Sequence, residues 1–276
     1  MRRWIGLGAL GLCLLVGQAR AAERAAIELW RLDCGAFQVN NLNTFSDVDA
    51  YGPGAKHLVG SCYLIRHGDT YMLWDTGLPV EVLGKPFTGK GDIEGSLKIT
   101  LVDQLKTLGL RPEQINIVAL SHYHYDHTGQ AVSFPNAKLM IGRGDAEHLR
   151  ANPEGSGSAV THWIKGGGKL DEVEGDRDVF GDGSVVMINL PGHTPGHHGL
   201  LIRLPVSGYV LLSGDVAHFA ENLAANAVPG FNADRAQSLA SIDRFKSLGA
   251  NHRAKMIIQH EPNDVSKLPP FPQSAK

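Results

Sequence analysis

The chain reads as one domain of mixed α/β (α+β) character, sheets flanked by helices. Three observations lead there. The 276 residues are 43% hydrophobic and 20% charged, with 33 Gly and 14 Pro; this excludes a disordered tail, a collagen-like repeat and a coiled coil, and suffices for a proper core. Strand-length apolar runs alternate with helix-length patterns along the chain. No internal repeat, low-complexity segment or Pro/Ser-rich linker divides it, so a single body of sheets and helices is the simplest arrangement.

The elements follow in order. Residues 27–33, 61–66 and 70–75 alternate or run apolar, and the Gly68-Asp69 turn joins the last two as a hairpin. A polar, Gly-containing stretch from Asn40 to Lys56 precedes the hairpin, and a second from Leu83 to Gly95 follows it; both are long enough to be functional loops. Leu97, Leu101 and Leu105, four apart, predict a helix over Ser96 to Leu108 that Gly109 ends. Ile115 to Leu120 is a buried strand. Strands are expected at Lys138 to Ile141, Val185 to Leu190, Gly199 to Leu204 and Tyr209 to Ser213, then a helix at Asp234 to Leu248 and a last strand at Lys255 to Gln259.

The N-terminus carries a topological message. Arg2 and Arg3 precede an apolar run from Trp4 to Gly17, and Ala19-Arg20-Ala21 ends it. Charged, apolar and small-residue regions in that order read as a secretory signal peptide over residues 1–21, leaving 22–276 as the mature domain, periplasmic or secreted. The apolar run is short for a permanent span. Leu12 before Cys13 fits a lipoprotein box poorly, so no stable membrane anchor is expected after cleavage. The paired arginines leave export by the general or the twin-arginine route open. The formal net charge of −2 comes without a basic stripe, which argues against nucleic-acid binding. Cys34 and Cys62 remain in the mature chain, as a disulfide or as two buried thiols.

The chemistry concentrates after the Ile115 strand, in His122-x-His124-x-Asp126-His127. Side chains two apart in a turn can face one side, so His122 and His124 can grip one cation while Asp126 and His127 are carried round to a second. Imidazole and carboxylate suit zinc-class cations. His193, Asp215 and His260 also follow strands, and strand ends can converge on one sheet edge. Five His and two Asp are enough for two metals with open positions, the mark of a catalytic site. No Ser sits in a G-x-S-x-G elbow.

His122-Tyr-His-Tyr-Asp-His127-Thr-Gly, Pro191-Gly-His193-Thr-Pro-Gly-His197, Ser213-Gly-Asp215 and Trp74-Asp75-Thr76-Gly77 together resemble the metallo-β-lactamase superfamily. The resemblance implies a four-layer αββα sandwich with the metals at one edge. Cys62-Tyr-Leu-Ile, His193-Thr-Pro-Gly-His-His-Gly-Leu and Val228-Pro-Gly-Phe are similar to the N-acyl-homoserine lactonases. On that family's pattern His122, His124 and His193 would bind one divalent metal and Asp126, His127 and His260 the other, with Asp215 bridging. Zinc is the expected metal, and iron, manganese and cobalt suit the same donors. The sequence departs from the family at His218, which stands where the lactonases usually place a Tyr that positions the substrate carbonyl.

The activity so implied is the opening of an N-acyl homoserine lactone ring by a metal-bridging hydroxide. His218 would add a hydrogen bond to the oxyanion. Asp126 would carry the proton to the leaving alkoxide. Asp75 would hydrogen-bond beneath the metal loop, or simply cap its strand. His197 and His198 are candidates for supporting the site, with one of them packing or facing solvent. Stretches 40–56 and 83–95, with Leu42, Phe45, Tyr51, Leu83 and Phe87, would wall an acyl-chain pocket. The rivals are another hydrolase of this fold (a β-lactamase, a thioester hydrolase or an aryl or organophosphate esterase) and a non-catalytic exported metal-binding protein. A bridging Asp215 favours the lactonase or thioesterase side. The partner expected is a small acyl lactone, and a homodimer is left open.

Overall fold

Leu200, Ile202 and Leu204 sit in one apolar cluster and Leu201 in another, the two-residue period of a strand buried on both faces. That pattern repeats through two stacked sheets in the computed structural model, which describes Met1 and residues 26–276. The signal-peptide expectation lies outside the described residues.

The first sheet holds β1 (Ile27–Val39), β2 (Lys56–His67), β3 (Thr70–Trp74), β4 (Ile93–Ser96), β5 (Ile115–Ala119), β6 (Lys138–Gly142) and β7 (Leu170–Val173). Their order across it is β4-β1-β2-β3-β5-β6-β7. The second holds β8 (Arg177–Asp178), β9 (Val185–Asn189), β10 (His198–Leu204), β11 (Gly208–Leu212) and β12 (Lys255–Ile257), ordered β12-β11-β10-β9-β8. Between the sheets lie Tyr63, Ile65, Met72 and Trp74 from one side and Met187, Leu200, Ile202 and Leu212 from the other. The first sheet's outer face packs Leu64, Leu73 and Val118 against α1 (Leu101–Thr107), α3 (Arg143–Ala151) and α4 (Thr161–Ile164). The second sheet's outer face packs Leu201 and Leu211 against Ile242 and Phe245 of α6 (Arg235–His252). Two short helices, α2 (Tyr125–Thr128) and α5 (Ala220–Ala225), lie on connections. The layers are therefore αββα, as the resemblance implies.

Most expected elements are present, with longer ends on β1 and β2. One expectation fails. Residues 93–96 are not a loop end and helix start but β4, which pairs Ile93–Ser96 with Ala36–Val39 of β1. The helix begins only at Leu101, where the Thr100 hydroxyl accepts the Asp103 N–H. Leu97 fits the helical spacing of Leu101 and Leu105, yet it bridges to Leu83 instead, because an N-cap rather than apolar spacing decides where a helix starts. The patterns of 143–151, 161–164 and 220–225 carried no expectation and form α3, α4 and α5.

Cys34 and Cys62 form a disulfide between β1 and β2, their Cα atoms 5.6 Å apart. The bond closes a 28-residue separation. Removing it by Cys34→Ala with Cys62→Ala is expected to cost about 3–4 kcal/mol through the freed unfolded chain, read as a lower denaturation midpoint in urea. Among the described residues no helix is long and apolar enough to cross a membrane.

Candidate active site

In the first sheet β3, β5 and β6 run parallel; in the second, β11 and β12 do. Loops leaving the C-terminal ends of β3, β5, β9, β11 and β12 consequently meet at one edge of the sandwich. Asp75 follows β3, the 121–127 turn follows β5, His193 follows β9, Asp215 follows β11 and His260 follows β12. All seven predicted ligand side chains arrive there.

Three ring nitrogens form a tight triangle. His122 Nε2 and His124 Nδ1 are 3.0 Å apart, His193 Nε2 is 3.1 Å from the first and 3.0 Å from the second. The opposite ring nitrogens of His122 and His193 are already committed. His122 Nδ1 lies 3.0 Å from the Ser121 hydroxyl, whose proton goes to Asp75 Oδ2 (2.9 Å). His193 Nδ1–H donates to Asn232 Oδ1 (2.8 Å), and Asn232 Nδ2 in turn donates to Ser238 (2.9 Å). These partners leave lone pairs, not protons, on the Nε2 atoms that face the triangle.

Asp126, His127, Asp215 and His260 form the second group. His127 Nδ1–H donates to Asp75 Oδ2 (2.9 Å) and His260 Nδ1–H to the Val59 carbonyl (2.8 Å), so both Nε2 atoms again point inward. Asp215 stands between the groups. Its Oδ1 is 3.3 Å from His127 Nε2 and 3.1 Å from His260 Nε2. Its Oδ2 is 3.6 Å from His193 Nε2, 3.8 Å from His122 Nε2, 3.3 Å from His218 Nε2 and also 3.3 Å from His260 Nε2. Asp126 Oδ2 is farther out, 3.6 Å from His127 and 3.8 Å from His260.

Burial pushes His122 and His193 well below the usual imidazole range, and their imidazole neighbours push further. Burial also opposes charge on His127 and His260, but the carboxylates around them override it, Asp215 foremost, and raise both. Asp215 is held well below the carboxylate range against its own burial by His127, His260 and His218.

The residues fit a pair of cations. Neutral imidazole lone pairs converging at 3.0–3.1 Å repel one another unless a shared cation sits among them, and the spacing matches adjacent corners of a polyhedron with bonds of about 2.0–2.1 Å. His127 Nε2 and Asp215 Oδ1 are buried without any hydrogen-bond partner; such atoms normally find one.

Asp75, fully buried, does more than cap β3: it takes the Ser121 N–H (2.7 Å), the Ser121 hydroxyl and the His127 ring together. Asp75→Ala is expected to weaken metal retention about 10–100-fold, measured by chelator competition. Both extra histidines are buried: His197 supports the site and His198 packs, in line with the expectation for the pair. His197 takes the Asp215 N–H on Nε2 (2.8 Å), and burial lowers its imidazole to about 3. His198 is spent on the Gly196 and Gly175 carbonyls. Asn232 and the Val59 carbonyl escaped sequence reasoning, since neither lies in a ligand motif; Asn232 follows the noted Val228-Pro-Gly-Phe segment, the one signal available.

An apolar cavity of about 330 Å³ opens onto His124, Asp126, Asp215 and His260. Phe37, Val39, Phe45, Leu58, Ile93 and Phe231 line it. The 40–56 stretch supplies Phe45 as expected, while Leu42 and Tyr51 pack behind it. The 83–95 stretch supplies only Ile93. Leu83 is exposed and Phe87 lies against His57, because pairing of β4 with β1 turns Ile93 inward and leaves the preceding loop outside.

The profile of the Metallo-beta-lactamase superfamily matches residues 55–253. The chain belongs to the metallo-beta-lactamase superfamily. Within the superfamily it is similar to the N-acyl homoserine lactonase AttM of Rhizobium radiobacter, 33% identical over 225 residues that cover 76% of this chain and 85% of that one. An N-acyl homoserine lactonase from Bacillus sp is 30% identical over 219 residues, 77% of this chain and 85% of that one. A solved N-acyl homoserine lactone hydrolase, with the product N-hexanoyl-L-homoserine bound at its catalytic metal center, superposes with a TM-score of 0.77 at 25% identity, over 92% of this chain and 100% of that one. A Bacillus thuringiensis structure with N-decanoyl-L-homoserine bound at its active site gives the same figures. The metallo-beta-lactamase fold thus accounts for both the layers and the edge at which the donors meet.

Proposed function

We propose that this protein is an exported lactonase that hydrolyses the ring ester of N-acyl homoserine lactones with two divalent cations, zinc foremost. One observation carries the reading: the Asp215 carboxylate stands between the two groups of imidazoles, 3.1 Å from His260 and 3.6 Å from His193, at the floor of an apolar cavity. His122, His124 and His193 would hold one cation, Asp126, His127 and His260 the other, and Asp215 both. Bound there, the cations supply Lewis acidity and a water acidified to near neutral pH.

The residues of the chain do the rest. Phe37, Phe45, Leu58 and Phe231 take the acyl chain and keep water from it, so the lactone end lies over Asp215. His218 is buried with Nε2 facing Asp215, and its N–H stabilises the oxyanion as the carbonyl carbon is attacked. Asp126 and Asp215 both line the cavity, and Asp126, at 14% side-chain exposure against 4% for Asp215, is the more accessible of the two. Asp126 takes a proton from the attacking water and passes it to the ring oxygen as the acyl C–O bond breaks, giving the open-chain hydroxy acid. Export is supported by the N-terminal pattern and by the Cys34–Cys62 disulfide, which persists in oxidising compartments. A β-lactamase reading is disfavoured by the carboxylate shared between the groups and by relatives named as lactonases.

The test is a pH-indicator assay with purified protein across lactones of different acyl length, beside a β-lactam and a thioester, with elemental analysis of the same sample. Turnover of acyl lactones with two equivalents of metal is expected. Turnover of the β-lactam or thioester alone would overturn the reading.

A further inference from the structure

Asp145, the third residue of α3, is fully buried and has no ion-pair partner among the described residues. The proposed chemistry does not use it. Removing a carboxylate from water without a counter-charge costs several kcal/mol, which only converging donors offset. The Gly196 N–H donates to Oδ1 (2.7 Å) and the Thr194 hydroxyl to Oδ2 (2.9 Å). Burial pushes the Asp145 carboxyl up to about 7, and these two donors together with the more loosely placed Tyr123 N–H oppose that rise only in part.

These donors sit beside ligands of one group only. Thr194 follows His193, and Tyr123 lies between His122 and His124. Around Asp145 the contact is backbone on backbone. A Cβ at Gly142 would fall 1.9 Å from the Gly196 carbonyl oxygen, at Gly196 2.5 Å from the Asp145 nitrogen, and at Gly144 2.9 Å from Pro195. The imidazoles of the second group are held from elsewhere, His127 by Asp75 and His260 by the Val59 carbonyl; Asp215, which faces both groups, leans on His197 at the end of the 191–197 turn.

We infer that Asp145 is a positioning residue for the first cation site, locking the 191–197 turn against the 121–127 turn and so setting the spacing of His122, His124 and His193. The inference rests on the two-cation reading above. Its consequence is asymmetric: loss of Asp145 weakens one site and spares the other.

The experiment is a Co(II) titration of the full, metal-stripped protein, followed by visible absorption, with His193→Ala and His260→Ala marking which step belongs to which group. Wild type is expected to take up two equivalents. Asp145→Ala and Asp145→Asn should raise the dissociation constant of the step that His193→Ala abolishes by about 10–100-fold and leave the other step unchanged. Gly142→Ala, which wedges the same junction, should do likewise. Both steps unchanged, both weakened equally, or failure of all three variants to fold would overturn the inference. Absence of cobalt uptake by wild type would instead sink the two-cation reading itself.

Discussion

Asp215→Ala is expected to strip the protein of both cations and to lower lactone turnover by at least about 10³-fold, more than the 10–100-fold that follows loss of a group merely orienting a ligand. The reason is that its carboxylate reaches both groups: Oδ1 lies near His127 and His260, and Oδ2 lies near His122 and His193 as well as His260. No other carboxylate among the described residues faces both groups; Asp126 touches only the second. Alanine also leaves His127 Nε2 and His260 Nε2 facing an empty volume, and the carboxylate that raises both imidazoles is gone. Elemental analysis of the purified variant should find well under one equivalent of metal. A variant that retained two equivalents and near wild-type rate would show that Asp215 does not join the sites.

Asp126→Asn is expected to behave differently: most of the metal stays and most of the hydrolysis goes. Its Oδ2 stands 3.6 and 3.8 Å from the second-group nitrogens, farther than Asp215, and asparagine keeps an oxygen in the same place. What asparagine lacks is a group that accepts and returns a proton, a loss of about 10²–10⁴-fold in rate. The carboxylate also faces the apolar cavity, where the leaving oxygen of a bound lactone would sit. The check pairs metal content with kcat on one acyl lactone. Full rate with full metal would remove Asp126 from proton transfer.

Much of this site was legible before any coordinates. His122, His124, Asp126 and His127 fall within six positions after an apolar strand, so local geometry alone forces them together. His193, Asp215 and His260 each end an apolar run, and parallel strands bring such ends to one edge. Asn232, Ser121 and Asp145 were not legible in these roles, and His197 was legible as a support for the site without its partner Asp215. Each acts through hydrogen bonds to a segment that periodicity does not relate to its own, as Asn232 does across 39 residues to His193 and Asp145 across 51 to Gly196. The helix start misread at Ser96 has a related cause. Apolar spacing over Leu97, Leu101 and Leu105 is helical, while pairing of Ile93–Ser96 with β1 is a long-range contact that overrides it.

Residue order by itself determined the strands that feed the edge and the ligand side chains, because hydrophobic period and donor spacing are local properties of the chain; the four layers followed from the motifs' resemblance to a known family. Only the tertiary structure decided which nitrogen of each imidazole faces inward, that Asp215 lies within reach of both groups, that Cys34 and Cys62 are joined, and that Ile93 rather than Leu83 or Phe87 walls the cavity. These depend on distances between segments far apart in sequence, and packing of the two sheets sets those distances.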